Sequence, residues 1–144
     1  MELLKRHTDY SIRALVTLAE VPAGTMLSAR RIARSAEVHE PILRKLLQRL
    51  VRAGIVLSVR GVQGGFRLAR PAARINIFEV AEIAQGPIAV NRCLLGRGRC
   101  PRQDRCPISE KLIGLQEHLA SLFRSVTLTD LMAPAHPPAK ALGG

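Results

Sequence analysis

The apolar residues of this chain change period at Gly54, and that change limits what the chain can become. Before it, Ile42, Leu43, Leu46, Leu47 and Leu50 recur at intervals of three and four, marking an amphipathic helix whose other face carries Arg44, Lys45, Arg49 and Arg52. After it, Ile55, Leu57 and Val59 alternate, a tip with Gly61, Gly64 and Gly65 intervenes, and Phe66 and Leu68 alternate again. Side chains repeat every 3.6 residues on a helix and every two on a strand, so neither element can absorb the other's pattern. A basic helix must therefore run directly into a β-hairpin.

The residues upstream give that helix its setting. Asp9 to Glu20 places Ile12, Leu15, Val16 and Ala19 on one face and predicts a first helix, closed by Pro22 and Gly24. Ser28 suits the N-cap of a short second helix over Ala29 to Ala36, with Ile32 and Ala33 inward and Arg30, Arg31 and Arg34 outward. A turn over Glu37 to Glu40 follows, and Pro41 suits the first position of the third helix, residues 41–53. Helix, helix, turn, helix, hairpin is the order of a winged helix-turn-helix, with the third helix as its recognition helix. Asn76 and Glu79 resemble a capping box that opens a fourth helix running to about Gln85. The predicted fold class is mainly α with a small β-hairpin wing and a long C-terminal helix.

Charge narrows the partner. The 144 residues, about one domain's worth, carry 22 Lys and Arg against 11 Asp and Glu, a net charge of +11 that favours a polyanion, either nucleic acid or an anionic membrane. No apolar run approaches a membrane span, and MELLKRHTDY lacks a signal peptide's apolar core, so no membrane partner and a cytoplasmic location are expected. With one Tyr, three Phe and no Trp, stacking platforms for single strands are nearly absent, so RNA is not expected and double-stranded DNA is. Between Ser28 and Arg70 ten basic residues face only two acids, Glu37 and Glu40. A solvated charged face explains most such runs, but helix-turn-helix order with a wing favours DNA. Arg44 and Lys45 lie in the first turns of the third helix, where side chains meet base edges, and Arg60 at the hairpin tip could enter a flanking minor groove. Ser28, His39, Glu40, Pro41, Arg49 and Gly64 complete the expected DNA-facing set. The glycine tip has no Gly-Lys-Ser/Thr after it and reads as a tight turn, and with no catalytic fingerprint present no enzyme is expected.

A second constellation follows. Cys93, Cys100 and Cys106 form C-x6-C-x5-C in a segment rich in proline, glycine and arginine. An odd number of cysteines in a short loop fits a ligand or redox cluster better than a disulfide framework. Iron-sulfur, zinc and thiol-redox readings all stay open, although the paired C-x2-C spacing common in zinc sites is missing. Arg92, Arg97, Arg99, Arg102 and Arg105 surround the cysteines, either stabilising an anionic cluster or simply solvated, and Asp104, Ser109 and Glu110 are nearby candidates for a fourth ligand. Ile108, Leu112, Leu115, Leu119, Leu122 and Val126 then repeat at three, four and seven, giving a long helix whose stripe meets a partner. From Ala133 the composition predicts disorder. The expected organisation is a DNA-binding unit over residues 1–85, a cysteine loop over 86–107, a dimerisation helix and end segment over 108–132 and a tail over 133–144.

The wing SVRGVQGGFRLARP at Ser58 to Pro71, the opening HTDYSIRAL at His7 to Leu15 and the cysteine spacing together resemble the Rrf2 family of winged-helix transcription regulators, which includes the NsrR, RirA and IscR types. The resemblance spans roughly Met1 to Met132. It implies a homodimer, each subunit applying its third helix and wing to half of a pseudo-palindromic operator, with the C-terminal helices as the dimer interface. It also implies an iron-sulfur cluster on Cys93, Cys100 and Cys106 that reports nitric oxide, iron or redox state to a repressor. The histidine of the IscR type is Ser109 here, whereas the first-helix aspartate that the NsrR type donates from the other subunit matches Asp9. That match favours a 4Fe-4S over a 2Fe-2S cluster, and the competing reading of Asp9 is an N-cap of the first helix. The alternatives are a zinc-stabilised or thiol-redox regulator, or a cluster-free module acting with a partner enzyme.

Overall fold

The computed structural model describes residues 2–96 and 100–132. Its helices begin with α1 (Arg6–Glu20), α2 (Ala29–Ala36) and α3 (Glu40–Arg52). A two-stranded antiparallel hairpin, β1 (Val56–Val59) and β2 (Gly65–Leu68), comes next, followed by α4 (Ile77–Gln85), α5 (Ser109–Ser125) and a single-turn α6 (Leu128–Leu131). The expected winged helix-turn-helix and C-terminal helix are therefore present. The expected disordered tail, 133–144, lies outside the described residues.

Local chemistry explains the helix boundaries. Ser28 caps α2 as expected, its hydroxyl accepting from the Arg31 N–H at 3.2 Å. Glu37 ends α2 in the left-handed region at φ 55°, a conformation that normally costs a side-chain-bearing residue about 1 kcal/mol. The turn is held there because its N–H and that of Val38 both reach the Ala33 carbonyl, while Val38 is buried. The α3 helix starts at Glu40, one residue earlier than expected, so Pro41 occupies the second position, where its missing N–H is equally harmless. Asn76 caps α4 through the Glu79 N–H at 2.9 Å, but only half of the expected box forms: Glu79 turns to Arg70, 2.6 Å away. That ion pair ties the end of the wing to the first turn of α4.

Three apolar faces are rotated from the sequence expectation. On α1 the buried residues are Thr8, Ser11, Ala14, Leu15 and Leu18, while Ile12, Val16 and Ala19 are only half buried. On α3, Leu43, Leu46, Leu47 and Leu50 enter the core and Ile42 is exposed. At β1, Ile55 just before the strand and Val56 are buried whereas Leu57 and Val59 remain 42% and 50% exposed. A two-stranded wing has no second layer over its outer face, so alternation along it does not guarantee burial.

The main core joins Leu15 and Leu18 of α1, Ile32 of α2, Leu43, Leu47 and Leu50 of α3, Ile55 and Val56 of the wing, Val80 of α4 and Leu128 of α6. Leu128 is fully buried, and its N–H donates to the Ile75 carbonyl while Ile77 N–H donates to Val126. The long helix therefore stops at Ser125, and Val126, expected on its stripe, is extended backbone that returns the chain to the winged helix-turn-helix. A second, smaller core forms from Phe78 and Ala81 of α4, Ile88, and Ala120 of α5, packed with Leu4, Leu119 and Phe123.

Candidate nucleic-acid interface and cysteine segment

With Leu43, Leu46, Leu47 and Leu50 buried, the opposite face of α3 exposes Ile42, Arg44, Lys45, Gln48, Arg49 and Arg52. The start of α3 presents the exposed His39, which makes no side-chain cap bond, then half-buried Glu40 and exposed Pro41. Arg44 is held by Glu40 one turn earlier, at 2.7 Å from Nη2 and 3.0 Å from Nε to the same carboxylate oxygen. An exposed i,i+4 pair of this kind is worth only about 0.3 to 0.5 kcal/mol, so a guanine edge can displace it. Arg49 is differently engaged: its guanidinium donates to the Ala84 carbonyl in the last turn of α4 at 3.0 Å. Among the described residues Lys45 and Arg52 make no ion pair, leaving them available to bases or phosphates.

The wing continues this surface. Arg60 is exposed just after β1, and Val62 stands fully exposed at the tip. Gly64 N–H closes the turn onto the Gly61 carbonyl at 3.0 Å, and a Cβ on Gly64 would lie 2.1 Å from the Val59 carbonyl oxygen. Gly64 thus serves the tip by omission of a side chain, which lets the backbone fold back on itself. A Cβ on Gly65 would lie 2.6 Å from the Leu27 carbonyl oxygen, and backbone bonds between Leu27 and Phe66 fasten the wing to the segment before α2.

The DNA-facing set drawn from the sequence left out α2. In the fold Arg30, Arg31 and Arg34 line one open groove with Ser28 and Ser35 beside the turn into α3. Their outward phase was legible in the sequence. What the sequence does not carry is that Arg13 of α1 and Arg70 of the wing are occupied elsewhere while these three have no carboxylate partner among the described residues.

All three cysteines are free and partly buried. Cys93 lies in a short helical turn, Arg92–Leu94, and Cys106 ends another, Gln103–Arg105, immediately before α5. Among the described residues no group of three His, Cys, Asp or Glu side chains converges to hold a metal ion. The donor chemistry nevertheless fits an iron-sulfur cluster: three unpaired thiols with access to solvent, in one segment between α4 and α5. Arg97 and Arg99, expected beside them, lie outside the described residues.

Asp9 is not a cap, because α1 begins at Arg6 with Lys5 as its N-cap. Its exposed carboxylate instead pairs with Arg13 at 2.6 Å, and Arg13 NH1 also lies 3.5 Å from the Ala36 carbonyl at the end of α2. His7 and His118 are exposed. Asp9 therefore stands on the outer surface of α1.

The Rrf2 family model, described as an iron-dependent transcriptional regulator, matches residues 4–134. Protein aau3 of Rhizobium meliloti is 36% identical over 131 residues, covering 90% of this chain and 84% of that protein. Among solved structures, CymR, the global cysteine regulator of B. subtilis, superposes with a TM-score of 0.75 at 24% identity, covering 94% of this chain and 100% of CymR. IscR of T. potens gives a TM-score of 0.69 at 23% identity, with 93% of both chains covered.

Proposed function

This chain belongs to the Rrf2 family of DNA-binding transcriptional regulators, which are not enzymes, and from that premise we propose that it is a homodimeric repressor whose cysteine segment reports nitric oxide, iron or redox state to the operator. The observation that carries this reading is the joint placement of three free thiols in the segment between α4 and α5 and of an exposed basic surface on α2, α3 and the wing.

The apolar stripe of α5 supports the dimer. Ile108, Leu115 and Leu122 stay 55%, 52% and 53% exposed, and with the half-buried Leu112 and Leu119 they alternate at four and three, the spacing of a helix-helix seam. A second copy of the same stripe is a self-complementary cover. Two recognition helices related in this way can enter major grooves about 34 Å apart, each reading half of a pseudo-palindrome through Arg44 and Lys45 while Arg30, Arg31, Arg34 and Arg60 hold the backbone.

Cys93, Cys100 and Cys106 are the residues that would hold an iron-sulfur cluster, with Asp9 of the partner subunit as an oxygen ligand and a 4Fe-4S form favoured. Such a cluster, when bound, supplies a site reactive toward nitric oxide and oxidants. The chain's own part is to gather three thiols, and their release frees the segment that joins α4 to α5. If Asp9 turns to a ligand role, Arg13 loses its carboxylate partner and keeps the Tyr10 ring and the carbonyl of Ala36, next to the turn between α2 and α3.

A second reading is favoured by one observation, that the thiols are free and do not converge: direct thiol oxidation, with the similarity to CymR as support. Anaerobic purification, with a visible spectrum and iron, sulfide and zinc analysis on one sample, separates the readings. Brown protein with acid-labile sulfide that loses operator affinity on treatment with nitric oxide supports the cluster sensor. Colourless protein after attempted reconstitution removes it. Operator binding lost on oxidation and restored by reductant then supports thiol sensing, and stoichiometric zinc supports a structural metal.

A further inference from the structure

The cysteine segment is joined to α4 by a short stem, residues 86–90, and two glutamine side chains hold the structure on either side of it. Gln116 of α5 accepts from the Val90 N–H and donates to the Ile88 carbonyl, both at 2.9 Å. A carboxamide that pairs with the N–H and C=O of residues two apart imitates a neighbouring strand, so the stem is docked on α5 as if by a one-residue ladder. Gln85, the last residue of α4, does the same for the N-terminus. Its Oε1 accepts from the Lys5 N–H at 2.8 Å and from the buried Thr8 hydroxyl at 2.6 Å, while its Nε2 donates to the Leu3 carbonyl at 3.0 Å. Only one orientation of this amide satisfies all three partners.

The two brackets share one small core. Leu4, beside the residues held by Gln85, packs in the same apolar cluster as Ile88, held by Gln116, together with Phe78, Ala81, Ala120 and Phe123. Arg124 stacks over Phe78, 4.3 Å from its ring centroid, fastening the other half of α5 to α4. Gly86, at φ 85°, is the joint between Gln85 and the stem. A displacement of the stem therefore cannot stay local: it breaks the Gln116 bonds on α5 or drags Ile88 out from under Leu4, at the N-terminal approach to α1.

We propose that Gln85 and Gln116 are positioning residues that couple the cysteine segment to α1 and α5, so that a change at the thiols shifts the N-terminus of α1 and the α5 helix together. The proposal rests on the regulatory reading above, and it adds the route by which that regulation reaches the DNA-binding unit. Neither residue is placed among the cluster ligands or the DNA contacts.

The test compares wild type, Gln85→Met and Gln116→Met as full-length protein, each first checked for a native circular dichroism spectrum and a cooperative melt. Amide hydrogen exchange of the cluster-free chain is read at Lys5 and Val90. Coupling predicts reciprocal effects: Gln116→Met accelerates exchange at Lys5, and Gln85→Met accelerates it at Val90, by about tenfold, the equivalent of one lost bracket. Acceleration confined to the bracket that was substituted overturns the proposal. Operator affinity is then measured with and without reconstituted cluster. Ratios that fall toward one in both variants, with iron and sulfide content unchanged, support the coupling, and ratios equal to that of wild type overturn it. A wild-type ratio of one overturns the sensor reading instead, and the exchange data then decide the coupling alone. If either variant melts without cooperativity, Gln85→Glu and Gln116→Glu, which keep the acceptor oxygen, take the place of the methionine variants.

Discussion

At the scale of single residues, two polar groups break the ordinary rules, and each yields a prediction. Ser11 is 1% exposed on α1, and its hydroxyl has no hydrogen-bond partner among the described residues, although Thr8 one turn away is satisfied by Gln85. Leaving a buried hydroxyl unpaired costs about 1 to 3 kcal/mol, so Ser11→Ala is expected to raise stability by about 1 kcal/mol in urea unfolding. A loss of stability would mean that the hydroxyl has a partner in solution. Glu40 and Arg44 form the other case. Arg44→Ala is expected to reduce discrimination between the operator and a guanine-substituted half-site by about 1 to 3 kcal/mol. Glu40→Gln removes a carboxylate from the DNA-facing turn and releases Arg44, so affinity for any duplex should rise by about two- to fivefold at low salt. Anisotropy titrations on specific and random duplexes check both, and equal losses on the two duplexes for Arg44→Ala would make it a phosphate contact.

At the scale of elements, α5 is the least explained by its own chain. Only Ala120 is buried along its seventeen residues, and the helix packs on α4, the stem and Leu4. Leu115 and Leu122 are exposed on the stripe, which the proposed dimer would cover. Replacing both with glutamate places charge in that seam and is expected to weaken self-association by more than about a hundredfold. Analytical ultracentrifugation reads this directly, and the winged unit should retain its circular dichroism. A variant that stays dimeric at micromolar concentration would move the interface off the stripe.

At the scale of the whole molecule, the chain closes on itself through α6. Leu128 is fully buried among residues of the first unit, and Thr127 pairs with Asn76 across an antiparallel bridge. Leu128→Ala should therefore destabilise the winged unit by about 2 to 5 kcal/mol, measured by denaturant unfolding, even though the residue lies beyond the long helix. This closure was not legible in the sequence, because a four-residue helix is too short to show a period. Much else was legible. Ser28, Pro41 and Asn76 marked helix starts because capping is local chemistry, and the period change at Gly54 announced the wing. The faces of α1 and β1 were misjudged for a complementary reason: periodicity tells that a face is apolar, whereas neighbours decide how it turns and whether anything covers it. Ile12, Leu57 and Val59 all follow the period and none is fully buried. The sequence by itself determined the order of elements from α1 to α5, the basic surface and the triplet of thiols, all of which depend on residues close together in the chain. Only the tertiary structure decided that Arg49 serves α4 and that Arg13 bridges Asp9 to α2. It also decided that Gln85 and Gln116 brace the stem, because those bonds join residues 80 and 26 positions apart, a distance that no local pattern records.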